Sequence, residues 1–177
     1  MVEKWKKTGE SVAYKGYRSV IRKTFILPNG KKADYDIIQN HSFVSIVALT
    51  EEKEILLVKQ FRAGPEMVML NLPAGYIDEG ESPVDAALRE LREETGHTTS
   101  EITFLKRICK PYTTVEEFVF LATNCRKTHE LALDEDEFLE IIKFNLPQFR
   151  TYLRNPDNFD FDGIAAVYLA LEKLHEC

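Results

Sequence analysis

Apolar and polar positions change rhythm several times along the chain, and each change marks an element. Between residues 10 and 38, short apolar stretches alternate with polar ones. Phe25-Ile26-Leu27 and residues 33–38 flank Pro28-Asn29-Gly30. Asn-Gly is a strong hairpin signal, so this region is expected to be a β meander. Residues 43–49 and 55–61 are apolar strands joined by the charged turn 50–54, and 68–72 is a short strand running into Pro73-Ala74-Gly75. Residues 102–109, 118–122 and 138–144 read as further strands. After Ser82 the period changes to that of a helix. Ser82 suits the N-cap, Pro83 the first helical position and Asp85 the first turn, and Gly96 supplies the left-handed stop. Val84, Ala87, Leu88, Leu91 and Thr95 form the expected buried stripe; Ala86, Glu90, Glu93 and Glu94 form a second, acidic one. Residues 147–154 and 164–175 read as helices, the latter with Ile164, Val167, Tyr168, Leu171 and Leu174 at core spacing.

Length and composition fit one globular domain. A chain of 177 residues can bury a real core, and 44% hydrophobic with 29% charged residues excludes a disordered chain. A net charge of −6 argues against a nucleic-acid partner, which would call for a basic face. An anionic small substrate stays compatible, since cations and a few arginines can hold a pyrophosphate. Cys109, Cys125 and Cys177 lack metal-ligand spacing; Cys109 and Cys125 sit in apolar strands and are expected to be buried thiols. The start of the chain has no apolar leader core, and no apolar run approaches membrane length. The expected location is the cytoplasm, with no membrane partner.

The acidic stripe carries the chemistry. Glu90, Glu93 and Glu94 stand at i, i+3 and i+4 of one helix, with Glu81 just upstream. Carboxylates that share a face repel, and a divalent cation reverses the sign of that interaction. Arg89 lies four residues after Asp85 and four before Glu93, so it can tie either in place. On spacing alone, a solvated, salt-bridged helix fits as well.

The wider pattern decides between them. Gly75, Glu81, and Arg89-Glu90-Leu91-Arg92-Glu93-Glu94-Thr95-Gly96 resemble the Nudix box at its fixed positions, with His97 where an apolar residue is usual. The stretch IVALTEEKEILLVKQFRAG before the box, and NLPAGYIDEGESP leading into it, resemble the ADP-ribose pyrophosphatase branch of that family. The resemblance implies an α/β fold: an α/β/α sandwich with a mixed sheet, plus an N-terminal antiparallel sheet. It implies one Nudix hydrolase domain over 1–177, with the meander at 1–40 forming a homodimer and the Nudix fold at 41–177 carrying the box at 75–97.

The same resemblance implies a mechanism. Mg²⁺, for which Mn²⁺ can substitute, would be held by Glu90, Glu93, Glu94 and the Ala74 carbonyl. Glu93, Glu94 and Arg89 would serve catalysis, Arg89 by anchoring Glu81 and its loop. A base would come from a mobile loop, matched here by Lys110-Pro111-Tyr112-Thr113-Thr114-Val115-Glu116-Glu117; Glu116 is favoured and Glu117 is its rival. Arg62, Asn71, Tyr17 and Glu117 would contact substrate. Asn71 departs from the Glu that relatives often carry there, and the Ser-Pro-Gly common in the base loop is absent. Tyr14 and Phe43 are further candidates for stacking a base. The acidic run Asp134-Glu135-Asp136-Glu137 is expected to be a solvated loop, although relatives sometimes use acids there to support the site. His41, His97, His129 and His175 form no catalytic arrangement. The implied reaction is hydrolysis of a nucleoside diphosphate sugar, ADP-ribose first, to AMP and ribose 5-phosphate. Alternatives are GDP-mannose or another sugar nucleotide, a dinucleoside polyphosphate or nucleoside triphosphate, and a non-catalytic ADP-ribose sensor.

Overall fold

The computed structural model describes residues 2–135 and 137–175. Asp136 and Cys177 therefore lie outside the described residues, as does the side chain of His175. The chain divides into two compact units. The first runs to Ser42 and takes in Ile108–Glu116; the second holds Phe43–Arg107 and everything from Glu117 on.

The first unit is the expected meander. Strands β1 (Lys6–Lys15), β2 (Ser19–Ile26) and β3 (Lys32–Gln39) pair antiparallel in that order. Gly30, at φ 80°, closes the β2–β3 hairpin, and its N–H donates to the Leu27 carbonyl at 2.9 Å. Arg22 and Asp36 face each other across the strands in a two-pronged pair of 2.9 and 3.1 Å. Trp5, Phe25, Tyr35 and Tyr112 form a chain of ring contacts, so Trp5 covers this sheet. The segment around Tyr112, expected to be a mobile loop, is pinned. The Ile38 N–H donates to the Tyr112 carbonyl and the Thr114 N–H to the Ile38 carbonyl, both at 2.9 Å, which adds a parallel bridge to the edge of β3.

The second unit is a mixed nine-stranded sheet with helices. Its elements are β4 (Phe43–Thr50), β5 (Glu54–Arg62), β6 (Met67–Asn71), β7 (Ala74–Tyr76), α1 (Pro83–Thr95), β8 (His97–Thr98), β9 (Glu101–Cys109), β10 (Glu116–Lys127), β11 (Leu139–Asn145), α2 (Leu146–Arg154), β12 (Phe161–Asp162) and α3 (Ile164–His175). The path runs β12-β6-β5-β4-β10-β8, with β11 on β5, β7 on β4 and β9 on β10. The β4–β10 pair is parallel and β4–β5 antiparallel, which makes the sheet mixed. Strand β4 is buried on both faces. Val44, Ile46 and Ala48 pack with Ala86, Ala87 and Leu91 of α1, and α3 also lies against β4. This is the α/β/α sandwich.

Two helix faces differ from the expectation. In α1 the buried set is Ala86, Ala87, Leu91, Glu94 and Thr95, while Val84 is exposed. The acidic face of α1 is therefore turned inward at Glu94. In α3 the buried residues are Ala166, Val167 and Ala170, while Ile164 and Tyr168 are exposed. Alanines let the helix axis approach the sheet closely, and that close approach wins over larger side chains one position away. Cys125 is a buried thiol, pushed up to about 12 mainly by desolvation, but Cys109 is exposed, because β9 is largely open along its length.

Candidate active site on helix α1

The local sequence fixes the helix start and stop. Ser82 Oγ accepts the Asp85 N–H at 3.2 Å, and Gly96, at φ 70°, donates its N–H to the Arg92 carbonyl at 2.8 Å. A Cβ at Gly96 would run into the His129 carbonyl oxygen. His97 follows, buried, with Nδ1 2.7 Å from the Thr95 carbonyl; burial holds its pKa below the usual imidazole value.

Arg89 organises the acids. Its Nε and Nη2 grip Glu81 at 2.9 and 2.8 Å, Nη2 also donates to the Tyr76 carbonyl at 2.9 Å, and Nη1 meets Glu90 at 2.6 Å and Glu93 at 3.2 Å. One guanidinium thus ties the loop, β7 and two successive faces of the helix. The fork of donors makes this possible, because a lysine ammonium has no such planar span. Arg89 holds the Glu81 carboxyl below the ordinary carboxylate range. Burial outweighs the same help at Glu90, whose pKa is raised. Glycine at 75 is required by close approach: a Cβ there would overlap the Glu90 carboxylate.

Glu94 is the unusual member. It is 3% exposed and makes no salt bridge among the described residues; Oε2 accepts the Ala74 N–H at 2.8 Å. Desolvation pushes it up to about 8, with Glu90 and Glu137 adding repulsion, while the Ala74 N–H and Arg62 oppose the rise. Glu137 acts on Glu90 as well. Glu137 is exposed in a loop, as expected of the acidic run, and its charge adds to the repulsion felt by Glu90 and Glu94. Its membership in a run of four acids hid it, though the resemblance already pointed to that run.

Arg62 and Asn71 form a second polar pair in this unit. Arg62 Nε donates to Asn71 Oδ1 at 2.5 Å, and the buried Asn71 Nδ2 has no hydrogen-bond partner among the described residues. An unsatisfied buried donor costs about 1–3 kcal/mol, so it points to an acceptor that arrives from outside. Glu117 accepts the Ser45 hydroxyl at 2.9 Å. Glu116 lies in the first unit, where its N–H donates to Ser42 Oγ at 3.2 Å and its Oε1 faces the Cys109 thiol at 3.6 Å. Tyr17 lies in the β1–β2 turn of the same unit, 85% exposed, and Tyr14 is exposed on β1.

Among the described residues, no three acidic, histidine or cysteine side chains stand already gathered as metal ligands. Glu90 and Glu93 spend oxygens on Arg89, and Glu94 spends one on Ala74. The donor set nevertheless fits a hard divalent cation. Glu81, Glu90, Glu93, Glu94 and Glu137 outnumber Arg89 and Arg62, and clustered carboxylate oxygens in partial burial are the ligands such an ion prefers.

Comparison with known proteins agrees with this geometry. Residues 39–162 match the NUDIX domain family. The chain is 35% identical over 151 residues to an ADP-ribose pyrophosphatase of Bacillus subtilis, covering 83% of this chain and 82% of that protein. It is 32% identical, over the same shares, to a methanol dehydrogenase activator of Bacillus methanolicus. A crystal structure of an ADP compounds hydrolase superposes with a TM-score of 0.85 at 25% identity, covering 99% of this chain and 97% of that one. Sandwich, box and acid cluster together make this chain a member of the Nudix hydrolase family.

Proposed function

We propose that the protein hydrolyses the pyrophosphate bond of a nucleoside diphosphate sugar, with ADP-ribose the first choice, giving AMP and ribose 5-phosphate. The observation that carries this reading is Glu94: a buried carboxylate with no salt bridge among the described residues, on a helix whose Glu90 and Glu93 are already gripped by Arg89. The similarity to an ADP-ribose pyrophosphatase over most of both chains supports the substrate class.

In this reading Glu90, Glu93 and Glu94 hold Mg²⁺ with the Ala74 carbonyl, and Mn²⁺ can substitute. When bound, the cation offsets charge on the phosphoryl oxygens and lowers the pKa of a bound water. Arg89 acts through others, keeping Glu81, Glu90 and Glu93 in place. Arg62 and Asn71 bind phosphate oxygens, Glu117 faces the substrate from the start of β10, and Tyr17 offers a ring for the base. Water attacks one phosphorus, the bond from that phosphorus to the bridging oxygen breaks, and a carboxylate takes the proton from the water. Glu137 is the better-supported acceptor, because it acts on both Glu90 and Glu94; Glu116 is the second candidate. A homodimer through the N-terminal sheet belongs to the same proposal, supported by exposed Val12 and Tyr14 on β1.

The test is a panel of ADP-ribose, ADP-glucose, GDP-mannose, diadenosine polyphosphates and nucleoside triphosphates with Mg²⁺. Selective release of AMP from ADP-ribose is expected. Preference for another sugar nucleotide would move the specificity and keep the chemistry. A second reading, regulation of a partner through bound ADP-ribose, has one observation in its favour, the similarity to a protein named as an enzyme activator. Tight ADP-ribose binding with no turnover would select it.

A further inference from the structure

Away from the acidic stripe, one face of the large sheet ends in an open apolar row. Phe61 on β5 pairs with Val68 on β6, and directly opposed residues share a face. Phe138 stands immediately before β11, whose Leu139 pairs with Gln60. Phe159 stands two residues before Phe161, which pairs with Leu70 on β6. The Leu70 N–H donates to the Asp160 carbonyl at 2.8 Å, so this segment is joined to β6 before β12 begins. The two registers, continued outward, set Phe138 beside Phe61 and Phe159 beside Val68. Phe61, Val68, Phe138 and Phe159 are 61, 48, 81 and 75% exposed. One row inward on the same face, Leu70 and Phe161 are buried, and Phe149 of α2 packs edge-on against Phe161. Helix α2 therefore covers that row and leaves the next one open.

The shape and the charge around the row describe what fits it. Four strands at about 4.8 Å spacing make a row about 14 Å long, close to three turns of a helix. Its borders are acidic. Asp134, Glu135 and Glu137 precede Phe138, Asp157 precedes Phe159, and Glu66 precedes Val68, all exposed. The chain has no lysine or arginine between Lys127 and Lys143, none between Arg154 and Lys173, and none between Arg62 and Arg89. On β5, Lys59 is paired with Glu140 at 3.7 Å, and Arg62 turns to the opposite face, where it bonds Asn71 and acts on Glu94. Such a border repels an anionic membrane or a nucleic acid, and a second copy of this face would set one acidic rim on another. A helix with one apolar stripe flanked by lysines or arginines matches both the row and its border.

We propose that the row formed by Phe61, Val68, Phe138 and Phe159 is a docking site for a basic amphipathic helix of a partner protein. The proposal stands apart from the hydrolase reading and does not depend on it.

The experiment titrates the full chain into a fluorescently labelled synthetic helical peptide. The peptide carries leucines at i, i+3, i+4 and i+7 and lysines elsewhere; a second peptide has glutamates in place of the lysines. Anisotropy should show micromolar binding of the lysine peptide, weakened by salt, and no binding of the glutamate peptide. The double variant Val68→Thr with Phe159→Ser should bind the lysine peptide at least about tenfold more weakly. The double variant Glu66→Lys with Asp157→Lys should weaken it in the same direction, and it decides alone if the first variant does not fold. Failure of the wild type to bind the lysine peptide would overturn the proposal. So would equal binding of both peptides, or wild-type affinity in the folded variants, which would place the peptide elsewhere on the acidic surface. Sedimentation gives the last outcome: a wild-type dimer that becomes monomeric in Val68→Thr with Phe159→Ser would assign the row to a second copy and overturn the proposal.

Discussion

The Ala74 N–H donates to Glu94 Oε2 across 2.8 Å, so the backbone at the start of β7 and the buried carboxylate of α1 hold each other. This contact keeps Glu94 in place without neutralising it. The carboxyl is pushed up to about 8, chiefly by burial, against 4.5 for an unperturbed glutamate. Between those values the folded protein binds a proton that the unfolded chain has released. Stability of the metal-free protein should therefore fall as pH rises from about 4.5 to about 8, by up to a few kcal/mol. Glu90, also raised, adds to the slope; Glu81, lowered by Arg89, contributes a pH dependence only below about 4.5 and leaves this window unchanged. Glu94→Gln keeps an acceptor for Ala74 and isolates the effect. Melting temperature against pH should slope downward in the wild type and flatten in the variant, which should be the more stable of the two near pH 8. Parallel curves for the two proteins would refute this account of Glu94.

Arg89→Lys keeps the charge and loses the fork. Glu81, Glu90 and Glu93 share that fork, so the loop and two metal-ligand candidates loosen together. Residues that orient ligands typically carry about 10–100-fold in metal affinity or activity. Steady-state rates across a Mg²⁺ titration should show a loss of that size with the half-saturating Mg²⁺ moved upward. An unchanged titration would leave Arg89 as a surface ion pair.

Gly75→Ala places a methyl where the Glu90 carboxylate lies. Either the side chain moves off the β7 backbone or the backbone itself shifts. Activity should fall at least about tenfold while circular dichroism stays that of a folded protein, because β7 is short and the core cluster behind α1 is untouched. Full activity would show that the position of Glu90 is unimportant.

The proton acceptor is settled by a pair of variants. Glu137→Gln should lower kcat by about 10²–10⁴ with little change in KM, while Glu116→Gln should stay within a few-fold of wild type. The reverse pattern would assign the role to Glu116.

What the sequence made legible follows from how local each signal is. The bounds of α1 were readable because Ser82, Pro83 and Gly96 act within one turn. The acid cluster was readable because one helix carries it. The inward turn of Glu94 was not, since it depends on β7 and the Ala74 N–H lying over that face. The Arg62–Asn71 pair joins residues on separate strands, and the charge of Glu137 bears on the stripe from a loop more than 40 positions away, so neither has a signature in spacing. The strands β7, β8 and β12 are two or three residues long, too short to show a period. The attachment of the segment around Tyr112 to β3 rests on backbone hydrogen bonds, which side-chain patterns do not encode.

The most direct test of the central claim measures AMP released from ADP-ribose as Mg²⁺ is titrated, in wild type and in Glu94→Gln. Metal-dependent release in the wild type, falling by at least about 10²-fold in a folded Glu94→Gln protein, is the expected result. Equal release from both proteins, or release independent of the divalent cation, would contradict the assignment of this helix as the catalytic centre.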